Sequence, residues 1–164
     1  MDAPSLLMTI AFGAASFGAA ATGAIFRPGD WYRRLDKPPW RPPDWLFAPV
    51  WTMLYASIAV SGWLVWRAAG IEGAALPLAV FALQLLLNAA WTPLFFGLRR
   101  PDLALVEIVM LWGSIAATIV LFYPVSAAAA WLLVPYLAWV GFASALNASI
   151  WRRNRPSAAA GGVR

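Results

Sequence analysis

Five long apolar stretches dominate this sequence of 164 residues, and only one of them contains a charged residue. A helix needs about 20 predominantly apolar residues to cross the hydrocarbon core of a bilayer. Open strands would leave backbone groups unpaired in lipid, and a barrel needs an alternation of polar and apolar residues that these stretches lack. We therefore predict an all-α membrane protein, a bundle of five transmembrane helices at about residues 5–26, 45–66, 74–98, 103–123 and 127–151.

The composition excludes several classes of protein. Hydrophobic residues make up 62% of the chain and charged residues only 12%, whereas a soluble domain has about 25% charged residues. A soluble enzyme, a disordered segment and a nucleic-acid-binding domain are therefore excluded, despite the net charge of +5. Because the sequence has no cysteine and no histidine, it offers no thiolate, no imidazole base and no zinc site. We expect no metal site and no required cofactor.

Basic residues are distributed unevenly among the segments that connect the predicted helices. If all five helices cross the membrane, one side carries eleven Lys and Arg, in residues 27–44, 99–102 and 152–164, and the other carries only Arg67. The positive-inside rule then places the first loop and the C-terminus in the cytoplasm and the N-terminus outside. We expect a multi-pass protein of a bacterial cell envelope. A cleaved signal peptide is disfavoured, because the first stretch lacks a basic start and is longer than a signal core.

The first loop, residues 27–44, is predicted to be an ordered lid rather than a linker. Four prolines and three tryptophans lie between Trp31 and Trp45. The prolines restrict the backbone and lower the entropy lost on ordering. Five basic residues could attract carboxylates or phosphates. The alternative is a loop that lies on the lipid headgroups. At the other end, residues 156–164 are predicted to be a flexible tail.

Polar side chains at membrane depth are costly and mark candidate functional sites. Gln84, Asn88 and Trp91 share one face of the third predicted helix, because they are spaced by four and three residues. Aromatic stripes on the second and fifth helices comprise Phe47, Trp51 and Tyr55, and Tyr136, Trp139, Ala143 and Asn147. If the three stripes converge, they enclose a cavity with flat aromatic walls, suited to a large, planar, mostly apolar ligand.

Each of these features also has a structural explanation. Asn and Gln in membrane helices often hydrogen-bond between helices, at about 0.6 kcal/mol on average. Tryptophans near helix ends commonly form an interfacial belt, and such positions are held by Trp45, Trp66, Trp131 and Trp151. Glu107 is the one acid within a predicted span. We expect it to reach the interface or to pair with Arg99 or Arg100.

Small residues recur at every fourth position on two of the predicted helices. They are Ala15, Ala19 and Gly23 on the first, and Ala75 and Ala79 on the third. Such faces let helix backbones approach closely in lipid. They suit either packing within the bundle or a homodimer face, and the sequence leaves both open.

Five motifs follow one another along the chain. The first loop contains Trp31-Tyr32, Leu35, Lys37-Pro38, Trp40, Pro42-Pro43 and Trp45. The later motifs are Pro49-Val50-Trp51-Thr52 with Leu54-Tyr55, Gln84-Leu85 with Asn88, Trp91 with Pro93 and Phe95-Phe96-Gly97, and Pro135-Tyr136-Leu137-Ala138-Trp139 with Leu146-Asn147. Together they resemble the signature of the tryptophan-rich sensory protein/translocator protein (TSPO/MBR) family. The resemblance runs from about Gly13 to Arg155, so residues 1–155 are interpreted as a single domain of this type.

The resemblance implies a five-helix bundle, commonly dimeric, that binds porphyrins, heme-like tetrapyrroles, cholesterol and synthetic isoquinoline or benzodiazepine ligands. It also implies a pocket under the first loop, lined by Trp31, Trp45, Trp51, Tyr55, Asn88, Trp91, Phe122, Trp139, Ala143 and Leu146. Two of these residues, Trp51 and Trp139, correspond to tryptophans associated with light-dependent breakdown of protoporphyrin IX. The sequence departs from the family at Ala148 and Ser149, where the sterol motif has a tyrosine, and at Pro39.

The leading hypothesis from the sequence is a membrane receptor or translocator of tetrapyrroles, with a role in their regulation or transport. The alternatives are a light-dependent porphyrin-degrading protein and a secondary transporter of hydrophobic compounds. The expected partners are a tetrapyrrole or other apolar small molecule as ligand, membrane lipid and a second copy of the chain.

Overall fold

The computed structural model describes residues 3–26 and 29–155, and these form helices and connecting turns without a strand. The α-helices are α1 (Ala3–Ile25), α2 (Asp30–Arg34), α3 (Phe47–Gly73), α4 (Ala75–Thr92), α5 (Pro101–Phe122) and α6 (Ala127–Arg153). A 3₁₀ turn, Asp44–Leu46, leads into α3, and a π-helical turn, Pro93–Gly97, follows α4. Five of the helices are long and apolar enough to span a membrane. The predicted all-α, five-helix bundle is confirmed. The predicted tail, residues 156–164, lies outside the described residues.

The five long helices form a closed ring. α1 packs against α3 and α4, α4 against α5, α5 against α6, and α6 against α3. Many large apolar side chains remain exposed on the outer faces, such as Leu86 on α4, Val120 on α5 and Trp131 on α6. In a bilayer this outer surface faces acyl chains, so its exposure is the expected state of a membrane-spanning bundle.

The helix ends differ from the apolar stretches for local reasons. α3 continues past Arg67, whose guanidinium lies 5.1 Å from the centroid of the Trp63 ring, and bends at Gly70, where φ is +68°. Only glycine adopts this left-handed conformation without strain. Pro93 has no N–H to continue the α-helical pattern, and the chain passes into the π-helical turn there. Pro101 occupies the first turn of α5, a position that prolines favour.

The half of the bundle distant from the first loop is solidly packed. The rings of Phe81 and Phe122 stack with centroids 5.6 Å apart. Gly62 lets α1 and α4 approach α3, because a Cβ there would lie 2.7 Å from the Phe12 ring and 2.8 Å from the Phe81 ring. The Ser61 hydroxyl donates to the Ala129 carbonyl at 2.8 Å and joins α3 to α6. These contacts hold the helices together in this half, and the cavity lies in the other half.

Candidate functional site

A cavity of about 510 Å³ lies within the bundle, in the half next to the first loop. All five long helices contribute to its wall, as do the π-helical turn and two residues of the loop region, Tyr32 and Asp44. The wall is mostly apolar and rich in aromatic rings. Ligand cavities in proteins commonly measure about 300–1,000 Å³ and combine apolar walls with a few polar groups. This cavity therefore has the size and the chemistry of a small-molecule site.

Aromatic rings of three helices form the wall. Trp51 and Tyr55 of α3 stack with centroids 5.3 Å apart and an interplanar angle of 27°. The rings of Trp91 and Phe95 stack at 4.9 Å and 23°. On α6, the Trp139 ring meets Phe47 edge to face at 5.7 Å. These contacts hold the indoles in fixed orientations, so the wall offers preformed flat surfaces.

Asn88 joins three helices through a hydrogen-bonded chain at the cavity. The Tyr55 hydroxyl donates to Asn88 Oδ1 at 2.7 Å, and Asn88 Nδ2 donates to Tyr136 Oη at 2.9 Å. The three residues lie on α3, α4 and α6, whose buried faces converge here. The chain fixes the Tyr55 ring in the wall while satisfying the amide.

A second amide, Asn147, fixes the position of Trp91. The Trp91 indole N–H donates to Asn147 Oδ1 at 3.1 Å, and Asn147 Nδ2 donates to the Pro101 carbonyl at 2.8 Å. Asn147 thus connects α4, α6 and the first residue of α5. In contrast, Trp139 Nε1 is buried without a hydrogen-bond partner.

The first loop is held against the bundle by apolar and polar contacts. Trp31 and Tyr32 pack edge to face on Phe95, with centroids 5.9 and 6.1 Å away. Asn154, just after α6, accepts from the Asp36 N–H at 3.0 Å and donates to the Asp36 carbonyl at 2.9 Å. The Asp36 carboxylate also pairs with Arg153 at 3.1 Å. These contacts close the loop over one end of the cavity.

The polar groups at the loop end of the cavity centre on Tyr32. Arg41 Nη1 donates to Tyr32 Oη at 3.3 Å and to the Asp44 carboxylate. Lys37 Nζ lies 4.6 Å from the centroid of the Tyr32 ring and donates to the carbonyls of Leu35 and Arg33 at 2.9 and 3.2 Å. Partial burial and the nearby Arg41 charge lower the pKa of Lys37.

Seven of the ten residues predicted to line a pocket lie in the cavity wall. They are Trp51, Tyr55, Asn88, Trp91, Trp139, Ala143 and Leu146. Whether they bind a ligand stays a prediction. The second predicted helix contributes its whole stripe to this wall. The fifth contributes all of its stripe except Tyr136, and the third contributes only Asn88 and Trp91. Gln84 is buried elsewhere, and neither polar atom of its amide has a hydrogen-bond partner.

The other three predicted residues do not line the cavity. Trp31 lies behind the wall, where it supports Phe95. Trp45 is 70% exposed, because the 3₁₀ turn that carries it projects from the end of α3. Phe122 is fully buried in the packed half of the bundle, stacked on Phe81. The resemblance to the family predicted these three residues from their motif positions. Whether a residue lines the cavity depends on where its side chain lies in the folded bundle.

The expectation for Glu107 is wrong. Its side chain is 5% exposed, and neither carboxylate oxygen has a hydrogen-bond partner. Arg100 pairs instead with Asp102, at 2.6 Å. Because α5 begins at Pro101, Glu107 lies about two turns into the helix, on the same buried face as Ala104 and Leu111. An acid in such surroundings is a functional candidate in its own right.

The sequence did not single out the aromatic part of the wall near α1, which includes Phe17 of α1 and Phe26 just after it. Because α1 is mostly apolar, its stripe of small residues was interpreted as a helix-packing face, although one of them, Gly23, lines the cavity. Phe95 and Phe96 were noted only as part of a motif, yet both line the cavity beside Trp91. Their position in the sequence, close to a tryptophan and a proline, was the feature that could have identified them as cavity residues.

The fold and the cavity define an α-helical, multi-pass membrane protein whose spans enclose a tryptophan-rich cavity. The model of the TspO/MBR family matches residues 6–152, and the chain belongs to this family. It is 42% identical to the translocator protein of Homo sapiens over 157 residues, which cover 93% of each chain. It is 46% identical to protein CrtK of Rhodobacter capsulatus over 140 residues, 83% of this chain and 86% of that protein. It is 40% identical to the tryptophan-rich sensory protein of Cereibacter sphaeroides over 153 residues, 92% and 95% of the two chains.

Proposed function

We propose that this protein is a membrane receptor or translocator that binds tetrapyrroles, such as protoporphyrin IX and heme-like porphyrins, and other large apolar ligands. Its role would lie in the regulation or transport of tetrapyrroles. The observation that carries the proposal is the cavity, whose wall contains Trp51, Trp91 and Trp139 from three helices. The names of the relatives, translocator protein and tryptophan-rich sensory protein, support a role in translocation or sensing.

Ring contacts, rather than a metal, would provide the binding energy. A macrocycle stacks on indole faces and gains from the burial of its apolar surface. The polar side chains in the wall are hydroxyls, amides, indoles and the carboxylate of Asp44. With no histidine or cysteine in the sequence, the usual strong axial ligands of heme iron are missing, so metal-free porphyrin should bind about as well as the iron form.

The orientation and assembly of the protein are part of the proposal. The eleven basic residues that the sequence assigns to one side of the membrane support a cytoplasmic first loop and C-terminus and an outside N-terminus. We expect a homodimer in a cell-envelope membrane. Cysteine introduced at Glu72, in a chain that has no natural cysteine, should react with an impermeant maleimide from outside, whereas cysteine at Arg34 should react only after permeabilisation. Light scattering in detergent should give the mass of two chains.

A titration with protoporphyrin IX tests the binding site. Trp51→Phe and Trp139→Phe should each raise the dissociation constant, followed by the shift of the porphyrin absorbance band. Trp131→Phe is the matched control, because this indole lies on α6 but is 65% exposed on the outer face. Equal dissociation constants for all four proteins would refute the proposed pocket.

A second candidate function is light-dependent degradation of the bound porphyrin by dioxygen. It is favoured by the position of Trp51 and Trp139, which both line the cavity and would lie beside an excited macrocycle. Product formation under light should then require the protein and fail in the double Trp51→Phe, Trp139→Phe variant under conditions where the porphyrin is still bound. Bleaching of free porphyrin at the same rate would leave only the binding function.

A further inference from the structure

Arg41 occupies an unusual position at the loop end of the cavity. Its guanidinium does not line the wall, yet it bonds to both Tyr32 and Asp44, which do. Its side chain is 23% exposed, whereas that of Asp44 is 77% exposed. A partly buried cation therefore stands at the cavity rim, and its present partner is a solvent-exposed carboxylate of the same chain.

The bond between Arg41 and Asp44 is suited to exchange. Exposed ion pairs contribute little to stability, because water solvates both charges well. A guanidinium also presents a planar fork of donors that matches any carboxylate. A ligand carboxylate arriving at the rim could take the place of Asp44 without leaving an unpaired charge, since the released Asp44 side chain is already mostly in water.

The neighbouring cations are less suited to this role. Lys37, the other cation beside Tyr32, directs its ammonium to the carbonyls of Leu35 and Arg33. Partial burial and the Arg41 charge also lower the pKa of Lys37. For Arg41, burial opposes the charged form, but the hydrogen bonds to Tyr32 and Asp44 outweigh it and leave the pKa raised.

We propose that Arg41 binds a carboxylate of the ligand in the cavity, and that Asp44 occupies Arg41 until that carboxylate replaces it. This inference rests on the proposed function and deepens it, because it names the ligand class: flat macrocycles that carry free carboxylate side chains. Neutral macrocycles of the same shape would stack on the same indoles but would gain nothing at the rim, so the protein selects between acid and ester forms.

The test compares protoporphyrin IX with its dimethyl ester, which has the same ring and no carboxylate. The wild-type protein should bind the acid more tightly. Arg41→Gln should weaken binding of the acid by about 10- to 100-fold, the range for one hydrogen bond to a charged group, and leave the ester unchanged. Asp44→Asn should tighten binding of the acid by about two- to fivefold, as expected when an exposed competing pair is removed.

Arg33→Gln is the matched control. Arg33 forms an ion pair with Asp30 at the same spacing of three residues, on the same loop region, but neither residue lines the cavity. This variant should keep the wild-type ratio of acid to ester affinity. Unchanged binding of the ester to Arg41→Gln shows that the cavity has kept its shape, so a loss confined to the acid cannot come from misfolding.

The outcomes separate the inference from the proposed function. If the wild type binds neither porphyrin, the proposed function fails. If it binds acid and ester equally and Arg41→Gln changes neither, the cavity binds tetrapyrroles and only the role of Arg41 is refuted. If Arg41→Gln weakens both ligands to the same extent, Arg41 supports the loop rather than the carboxylate, and the inference is again refuted.

Discussion

Replacement of Asn88 by leucine tests the hydrogen-bonded chain that joins three helices at the cavity. Leucine branches at the same atom as asparagine but is somewhat larger, and it removes the bonds to Tyr55 at 2.7 Å and Tyr136 at 2.9 Å. Two interhelical bonds at an average of about 0.6 kcal/mol each would contribute about 1.2 kcal/mol together. Tyr136 is fully buried, and a stranded buried hydroxyl costs about 1–3 kcal/mol. We expect the free energy of unfolding to fall by about 1–3 kcal/mol.

The assay is reversible unfolding in mixed micelles with increasing SDS, followed by tryptophan fluorescence. Gln84→Leu is the matched control, because this residue lies one turn earlier on α4, is equally buried and has an amide without hydrogen-bond partners. The same chemical change there removes no bond and should leave stability unchanged or raise it. A common fall in both variants would show that leucine is simply poorly accommodated in α4.

A double-mutant cycle isolates the contact between Asn88 and Tyr136. Tyr136→Phe alone leaves Asn88 Nδ2 without its acceptor, whereas the double variant leaves neither group stranded at this contact. The double variant should therefore be more stable than the sum of the single effects implies, with a coupling energy of about 0.5–1 kcal/mol. Strict additivity, or an Asn88→Leu protein as stable as the wild type, would refute the reasoning.

Three further perturbations follow from the packing. Asn154→Ala removes both hydrogen bonds to the Asp36 backbone, so proteolysis of the first loop should become faster. Asp36→Asn weakens only the ion pair with Arg153 and should have a smaller effect. Equal proteolysis rates for the two variants would contradict this expectation. Gly62→Ala places a Cβ 2.7 Å from the Phe12 ring and should lower the free energy of unfolding by about 1–3 kcal/mol. The same SDS titration measures this change, and an unchanged midpoint would count against the tight contact. Glu107→Leu removes a buried acid without partners and should raise stability by about 1–3 kcal/mol; a less stable variant with pH-coupled uptake lost from vesicles would instead point to proton-coupled transport.

The number of membrane helices could be predicted from the sequence because lipid imposes a strict length of apolar chain. The residues at which the helices end could not be predicted in the same way, because helix ends depend on local features such as caps and prolines. Arg67 ended the predicted second span, but the α3 helix simply carries this charge beyond the apolar region and continues to Gly73. The third predicted span is split at Pro93, where the α-helix gives way to a π-helical turn.

The cavity was predictable to the extent that polar or aromatic residues marked a helix face. Asn88, Trp51 and Trp139 stand out at helical spacing in otherwise apolar stretches, and the structure brings them to one wall. α1 offers no such marks, so Phe17 could not be assigned. Glu107 was misplaced because its distance from the nearest charged loop was counted along the sequence, whereas its helical face directs it into the bundle.

The polar groups of the wall explain how such a cavity can stand open between membrane helices. Tyr55 and Asn88, like Trp91 and Asn147, satisfy one another across helices, so they do not require a ligand to complete their hydrogen bonds. Selection within the wall then depends mainly on shape and ring stacking, which tolerate many flat molecules. Discrimination by charge has to come from the rim, where Arg41 holds an exchangeable partner. We therefore expect substitutions in the wall to change affinity for all ligands together, and substitutions at the rim to change the order in which ligands are preferred.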